Sequence, residues 1–402
     1  MYNFLGASRR TIASLSPQNL LIAVLIFAIL TLLYLSDTNS NKSRIDEPAI
    51  VNVEPSLAVE TETVDQDQSS NSNDAISSSS PFRTITEHQQ QQTWITFAHN
   101  PSMGIGNCMF EYASTYGIAK KNNKTFFVLS QPHPFPLYEN FSLSAPYLVA
   151  PPDGVVLDGT GDGGACCKFN RALHQLDRAK SFKVAGYLQS FKYFIDVQDD
   201  IKKEFEFGPK VRERCNQRIR AAYLANEKLR NNANEAEDIN IDCTFVGLHA
   251  RLGDFSDPFR NEYGHVPAMP DYLQRAVGYF RGRLSAEKCV RFVVVSNDQL
   301  RTRQLLIGNY STHNNSSTNN DQQQQTAWSD VLILEQDADP VVDMCVLASC
   351  NHTITTTGTY SWWAGYLGHG LTTYQAIFAR PRSPLYSHYV VDEFFPPDWI
   401  PL

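Results

Sequence analysis

Phe245-Val-Gly-Leu-His-Ala-Arg-Leu-Gly-Asp-Phe255 is the stretch whose reading decides the fold. Phe245 to Leu248 is a short apolar run of the length of a buried strand, and it ends in polar residues instead of continuing with helical spacing. Gly253 permits a tight turn, so His249, Arg251, Gly253 and Asp254 fall at the carboxyl edge of that strand. A guanidinium at such an edge offers a planar fork that matches diphosphate oxygens with paired hydrogen bonds. The same residues also fit a plainer arrangement, in which Arg251 and Asp254 close a loop and His249 is hydrogen-bonded in the core.

Working outward, Phe126 to Leu129, Phe292 to Val295, Val331 to Leu334 and Thr353 to Thr357 are further short apolar or β-branched runs. Helical patterns near 107–121, 198–206, 270–284 and 361–368 alternate with them. This alternation predicts an α/β fold with parallel sheets, arranged as two Rossmann-like lobes, with ligands where strand ends meet helix starts. A chain of 402 residues, 42% of them hydrophobic, is long enough for two lobes and too short for three. The formal charge of -8 argues against a nucleic-acid partner and requires any polyanionic ligand to find a local basic site.

The N-terminus carries a different signal. Leu20 to Leu35 is apolar except for Thr31 and follows Arg9 and Arg10. Its sixteen residues approach the ~20 that span a bilayer, and the region after it lacks a small-x-small cleavage site. The expectation is a cytoplasmic tail over 1–17, a transmembrane signal anchor over 18–36 in contact with the lipid bilayer, and a lumenal remainder. Residues 37–93 are too poor in apolar side chains to offset their ordering entropy and are expected to form a disordered stem. Soft polar segments are expected at 226–240 and 308–326. The eight cysteines lack zinc spacing, and in an oxidising compartment their even number suggests disulfides of unspecified pairing.

Two more segments carry chemistry. In Asn351-His-Thr-Ile-Thr-Thr-Thr-Gly-Thr-Tyr-Ser-Trp-Trp-Ala364 a β-branched strand meets Gly358 and then a helix start. The hydroxyls of Thr357, Thr359 and Ser361 plus free backbone N–H groups would make an anion site; an ordinary helix cap is the simpler reading. Trp362 and Trp363 read as packing before sugar platforms. In Met103-Gly-Ile-Gly-Asn-Cys-Met-Phe-Glu-Tyr-Ala113 two glycines precede a helix on which Asn107 and Glu111 share a face.

These three segments, in this order, resemble the motifs of family 11 glycosyltransferases, the α-1,2-fucosyltransferases. Gly186-Tyr-Leu-Gln-Ser-Phe-Lys-Tyr-Phe194 and Phe395-Pro-Pro-Asp-Trp-Ile400 are similar to two further family segments, so the resemblance covers about residues 97 to 400. It implies a GT-B-like fold, with an acceptor-side lobe over 94–240 and a GDP-fucose-binding lobe over 241–402. It also implies a Golgi membrane enzyme that transfers L-fucose with inversion from GDP-β-L-fucose to a galactose 2-hydroxyl, without a metal or other cofactor. The expected partners are GDP-fucose and a glycan acceptor ending in a β-galactoside.

By motif, Arg251 would bind the β-phosphate and stabilise charge on the leaving GDP, with Asp254 beside it. His249, Gly253, Thr357, Gly358, Thr359 and Ser361 would contact the nucleotide. Asp343 would touch guanine or ribose, or else be a solvent-facing helix charge. Asn107 would sit against the transferred sugar or the acceptor. Glu111, Asp254 and Asp257 are candidates for the base, Glu111 first, unless an oxocarbenium-like path defers deprotonation. Two departures mark the chain: Leu252 stands where the family has a second arginine, and Cys108 where it has glutamine. A different acceptor, such as a core glycan or a protein, and an inactive lumenal glycan-binding protein are the competing readings.

Overall fold

The computed structural model describes residues 92–130, 132–164, 166–231, 243–307 and 330–402. The tail, the anchor, the stem up to residue 91 and the 308–326 segment lie outside the described residues. Among the described residues no helix is long and apolar enough to cross a membrane.

The first sheet has strand order β2-β1-β6-β5, from β1 (Trp94–Phe97), β2 (Thr125–Phe126), β5 (Leu157–Gly161) and β6 (Ser181–Ala185). A two-stranded sheet joins β3 (Val128–Leu129) to β4 (Tyr147–Leu148), so the run expected as one strand over Phe126 to Leu129 is split between two sheets. The large sheet has order β12-β11-β10-β7-β8-β9. Its strands are β7 (Thr244–Ala250), β8 (Val290–Ser296), β9 (Val331–Ile333), β10 (His352–Thr355), β11 (Thr372–Tyr374) and β12 (Ile400–Pro401). Every pairing within these sheets is parallel. The α/β expectation therefore holds.

This order positions the site. From β7 the chain runs outward through β8 and β9, then returns to β10 on the other side of β7 and continues to β11 and β12. The gap between β7 and β10 is a topological switch point, where parallel sheets open a crevice at their carboxyl ends. In the small sheet β1 has β2 on one side and β6 on the other, so a second reversal flanks β1.

Helix α1 (Ile105–Lys121) follows β1 and buries residues on all its faces, as a helix in a core must. Helices α2 (Gln198–Glu204) and α3 (Pro209–Asn231) precede β7. Because α3 runs to Asn231, the beginning of the segment expected to be soft at 226–240 is helical; residues 232–242 are outside the described set. Helix α4 (Pro258–Tyr263) starts at the Asp257 cap, whose carboxylate accepts from the Phe259 and Arg260 N–H groups. Helix α5 (Pro270–Arg283) begins with proline, the residue suited to a first helical position. Helix α6 (Gln299–Ile307) follows β8. In helix α7 (Pro340–Ala348) Asp339 caps the Val341 N–H and proline again opens the first turn. Helix α8 (Thr359–Leu367) follows β10.

The core joins α1 to α8. Phe110 packs 4.6 Å from the Trp362 ring and 5.0 Å from the Trp363 ring, centroid to centroid. Both indole N–H groups are satisfied, Trp363 on the Gly106 carbonyl at 2.9 Å and Trp362 on the Phe394 carbonyl at 2.8 Å. The two tryptophans are thus packing residues, since a buried indole needs its donor paired. Disulfides join Cys166 to Cys167 and Cys243 to Cys289, while Cys108, Cys215, Cys345 and Cys350 are free and buried.

Candidate active site

A cleft of about 700 Å³ opens over both switch points. Its lining includes Gly104 to Asn107 at the start of α1, His249 and Arg251 at the end of β7, and Thr357 to Tyr360 between β10 and α8. Local sequence explains each placement: an apolar strand delivers the polar residue at its end, and the next helix begins there.

Arg251 is the cationic centre of this cleft. Its Nε donates to Asp254 Oδ1 at 3.1 Å and its Nη2 to Asp254 Oδ2 at 2.8 Å. The guanidinium carbon also lies 4.0 Å from the Phe255 ring centroid. Two of the nitrogens are therefore held, which orients Nη1 beside Gly358. Asp254 additionally pairs with Arg260 at 3.2 Å and accepts from Asn297 Nδ2 at 3.2 Å. Burial alone would raise this carboxyl, but hydrogen bonding and charge from Arg251, with charge from Arg260, hold it below the usual carboxylate range. It remains an anion and a poor proton acceptor.

Both helix starts at the cleft lack a side-chain cap: Gly104 precedes α1 and Gly358 precedes α8. Uncapped N–H groups at two helix starts, next to an arginine, make an anion-binding site. The starts approach closely because residue 106 is glycine; a Cβ there would meet the Thr359 carbonyl carbon and the Tyr360 nitrogen at 2.6 Å. At this contact Thr359 Oγ1 donates to Asn107 Oδ1 at 2.6 Å, and Gln189 Nε2 donates to the same oxygen at 3.1 Å.

His249 is buried, with its ring 4.9 Å from that of Tyr360 and its Nδ1 without a hydrogen-bond partner. Burial, then the Arg251 charge, pushes its pKa down to about 3, so it is a neutral imidazole. The sequence-level alternative of a core histidine with its hydrogen bonds satisfied is thus corrected: His249 lines the cleft with an orphaned ring nitrogen. Thr357 also lines the cleft, and its hydroxyl donates to the Val266 carbonyl at 2.5 Å. Gly253 N–H is held by Asn297 Oδ1 at 3.2 Å, and Gly253 is not among the lining residues.

Other expected residues stand elsewhere. Ser361 is fully buried and outside the cleft lining, so it does not reach a ligand; its hydroxyl accepts from the Thr356 N–H at 2.8 Å and holds the loop. Asp343 lines the cleft from α7, but it is buried, paired with Arg218 at 3.0 Å, and accepts from the Asp337 N–H at 3.1 Å. This corrects the solvent-facing reading. Glu111 is 1% exposed and outside the lining, bonded to His99 Nδ1 at 2.9 Å, and burial raises its pKa despite that partner. Asp257 is the α4 cap.

Leu252 is wholly buried in the apolar cluster with Tyr272 and Phe292, so its side chain points away from the cleft. Cys108 is likewise buried, and burial pushes its thiol up to about 12. Cys108 Sγ, His99 and Glu111 place ligand-type atoms within 4.8 Å of one another, the one such grouping found among the described residues, and it lies outside the cleft lining. Arg260, Asn297, His265, Tyr360 and Gln189 were not singled out as individual residues from sequence. Gln189 and Tyr360 lay inside segments that carry the family resemblance, and Asn297 directly follows an apolar strand as Arg251 does.

An α/β protein with this cleft is built to hold an anionic ligand where two helix starts meet an arginine. The chain belongs to glycosyl transferase family 11, whose model matches residues 173–402. It is similar to galactoside alpha-(1,2)-fucosyltransferase 2 of Bos taurus, 28% identical over 74% of this chain and 76% of the relative. It is also similar to galactoside alpha-(1,2)-fucosyltransferase 1 of Saimiri sciureus, 28% identical over 77% of this chain and 74% of the relative. Among solved structures, fucosyltransferase NodZ from Bradyrhizobium matches at TM-score 0.38 and 14% identity over 69% of this chain and 93% of that one. That overlap is too low to carry an argument.

Proposed function

We propose that this chain is a fucosyltransferase that transfers L-fucose from GDP-β-L-fucose, with inversion and without a metal, to a galactoside hydroxyl in α-1,2 linkage. Membership of family 11 and the similarity to α-1,2-fucosyltransferases support the donor and reaction class. The observation that carries the reading is the Nη1 edge of Arg251, held by Asp254 beside the uncapped start of α8 in a cleft that the uncapped start of α1 also lines. Charge that grows on the leaving diphosphate would be met there by preorganised donors.

In this reading Arg251 holds the β-phosphate, and the backbone N–H groups at the start of α1 and of Thr357 and Thr359 hold the remaining oxygens, since both threonine hydroxyls donate within the protein. Gly358 leaves room for this grip, and His249 contacts the nucleotide as a neutral ring. The two carboxylates that line the cleft, Asp254 and Asp343, are both paired with arginine. This favours an oxocarbenium-like path in which leaving-group stabilisation carries the barrier and the acceptor proton departs late. A GT-B-like arrangement of two lobes, meeting near residue 240, would place the acceptor above the small sheet and GDP above the large one. The apolar run Leu20 to Leu35 supports a single-pass Golgi membrane enzyme with a lumenal catalytic region.

The test is to incubate the full chain in detergent with radiolabelled GDP-fucose, a panel of glycan acceptors and EDTA. Fucose on a terminal galactoside, unaffected by EDTA, is expected. Absence of both transfer and GDP-fucose hydrolysis overturns the enzyme reading. Loss of transfer in EDTA overturns the metal-free part.

A further inference from the structure

Among the free and buried cysteines, Cys215, Cys345 and Cys350 lie together where α3 packs on α7. Cys215 on α3 and Cys345 on α7 converge on the hydroxyl of Ser349, the residue just past α7. Cys215 Sγ lies 3.6 Å from Ser349 Oγ, and Cys345 Sγ lies 3.9 Å from it. The two thiols also share a hydrogen bond, which lowers the pKa of Cys215 and raises that of Cys345. One sulfur therefore faces the other in a core closed to water, with Cys215 fully buried and Cys345 2% exposed. Cys350 is engaged elsewhere, its Sγ donating to the Val346 carbonyl at 3.3 Å.

The surroundings narrow what this pair can do. Neither sulfur lines the cleft, so neither meets a ligand there. The three thiols do not converge as metal ligands, because the one such grouping among the described residues is His99, Cys108 and Glu111. The chain already carries the disulfides Cys166–Cys167 and Cys243–Cys289, a chemistry that belongs to an oxidising compartment. The two helices are also joined beside the thiols by charge. Arg218, one turn on from Cys215, pairs with Asp343, two residues before Cys345, at 3.0 Å. Asp343 lines the cleft, so the α3–α7 contact holds up part of its wall.

We propose that Cys215 and Cys345 form a third disulfide, which ties α3 to α7 beside the Arg218–Asp343 pair. This rests on the lumenal reading above. The step is exchange with a disulfide oxidant of that compartment. One cysteine thiolate attacks the oxidant's S–S bond and displaces one of its sulfurs as a thiolate. The second cysteine then attacks the mixed disulfide and displaces the other. Two protons pass from Cys215 and Cys345 to the leaving sulfurs, and the oxidant ends as two thiols. Because the pair is buried, exchange precedes the packing of α7 on α3, and the finished bond is shielded from reductant. A link between residues this far apart in sequence removes much freedom from the unfolded chain.

The test uses the full chain, made in a secretory eukaryotic host and purified in detergent. It is unfolded with an alkylating agent and no reductant, then digested for mass spectrometry. A peptide joining Cys215 to Cys345 is expected, with alkylation at Cys108 and Cys350. Alkylated Cys215 and Cys345 beside an intact Cys243–Cys289 link, or a link from either to Cys350, overturns the proposal. Alkylation of all eight cysteines overturns it together with the lumenal reading. In a second measurement, Cys215→Ala and Cys345→Ala should each lower Tm by about 5–10 °C, and the double variant no further. Additive losses would show two separately packed thiols and overturn the bond. The peptide map needs no variant, so it decides even where a variant does not fold.

Discussion

Gly358 and Arg251 fit together so closely that a Cβ at residue 358 would lie 2.7 Å from Arg251 Nη1. The backbone at Gly358 has φ of +98°, a conformation that side chains rarely adopt. Glycine here thus serves two needs, a strained turn into α8 and room for the guanidinium edge that faces the cleft.

Gly358→Ala should therefore cost about 1–3 kcal/mol of stability through backbone strain. The same change should displace Arg251 and weaken donor use more than acceptor use. Thermal unfolding and the KM for GDP-fucose check both parts; a donor KM equal to wild type's would show that Nη1 is not a ligand group.

Arg251→Ala should raise the transfer barrier by about 2.7–4 kcal/mol, the range for removal of one oxyanion donor. Arg251→Lys keeps the charge but loses the two-point hold of Asp254, so it should recover only part of this. Asp254→Asn removes the counter-charge and should fall between them. Values of kcat/KM for GDP-fucose order the three variants, and a fully active Arg251→Lys would contradict the role given to the planar fork.

The approach of α1 to α8 predicts a contrast between two neighbouring glycines. Gly106→Ala should destabilise by about 1–3 kcal/mol, as overpacking does, because it pushes on the Thr359 backbone. It should also break the bond from Thr359 to Asn107. Gly104→Ala meets nothing within 4 Å and should leave stability within about 0.5 kcal/mol of wild type. Denaturant unfolding of both variants reads the difference directly.

His249 gives a pH dependence with a definite sign. Its folded pKa is depressed to about 3, whereas an unfolded histidine titrates near ~6.5. Between these values the unfolded chain holds a proton that the folded chain excludes. Stability should thus fall as pH drops below about 6.5, by up to about 1.4 kcal/mol per pH unit from this group. His265, held near 4 by burial and then by Arg260 and Arg251, acts in the same direction. His249→Gln should flatten the slope of Tm against pH over this window; an unaltered slope would assign the acid sensitivity to other groups.

Much of the architecture was legible because strands and helices write their periods locally. Phe245 to Leu248 named the central strand, and the residues just past it fell at the crevice because parallel strands end there. The cleft position expected for Asp343 held, but its burial was not legible, because its partner Arg218 lies far away on α3 and leaves no trace in the spacing around α7. Ser361 had the residue type for an anion site, but packing buries it outside the cleft, where its hydroxyl accepts from the Thr356 N–H. Glu111 shares the exposed-looking pattern of Asn107 four residues earlier, yet packing against His99 draws it under the cleft.

By itself the sequence determined the α/β alternation, the strand that carries His249 and Arg251, and the glycines that open the helix starts. Those features follow from hydrophobic period and backbone freedom over a few neighbouring residues. Only the tertiary structure brought Thr359 to Asn107 across 252 positions, and Gln189 to the same oxygen from a third segment. Hydrogen bonds between distant residues impose no local period, so a site made of them becomes visible only when the sheets fix which strand ends face each other.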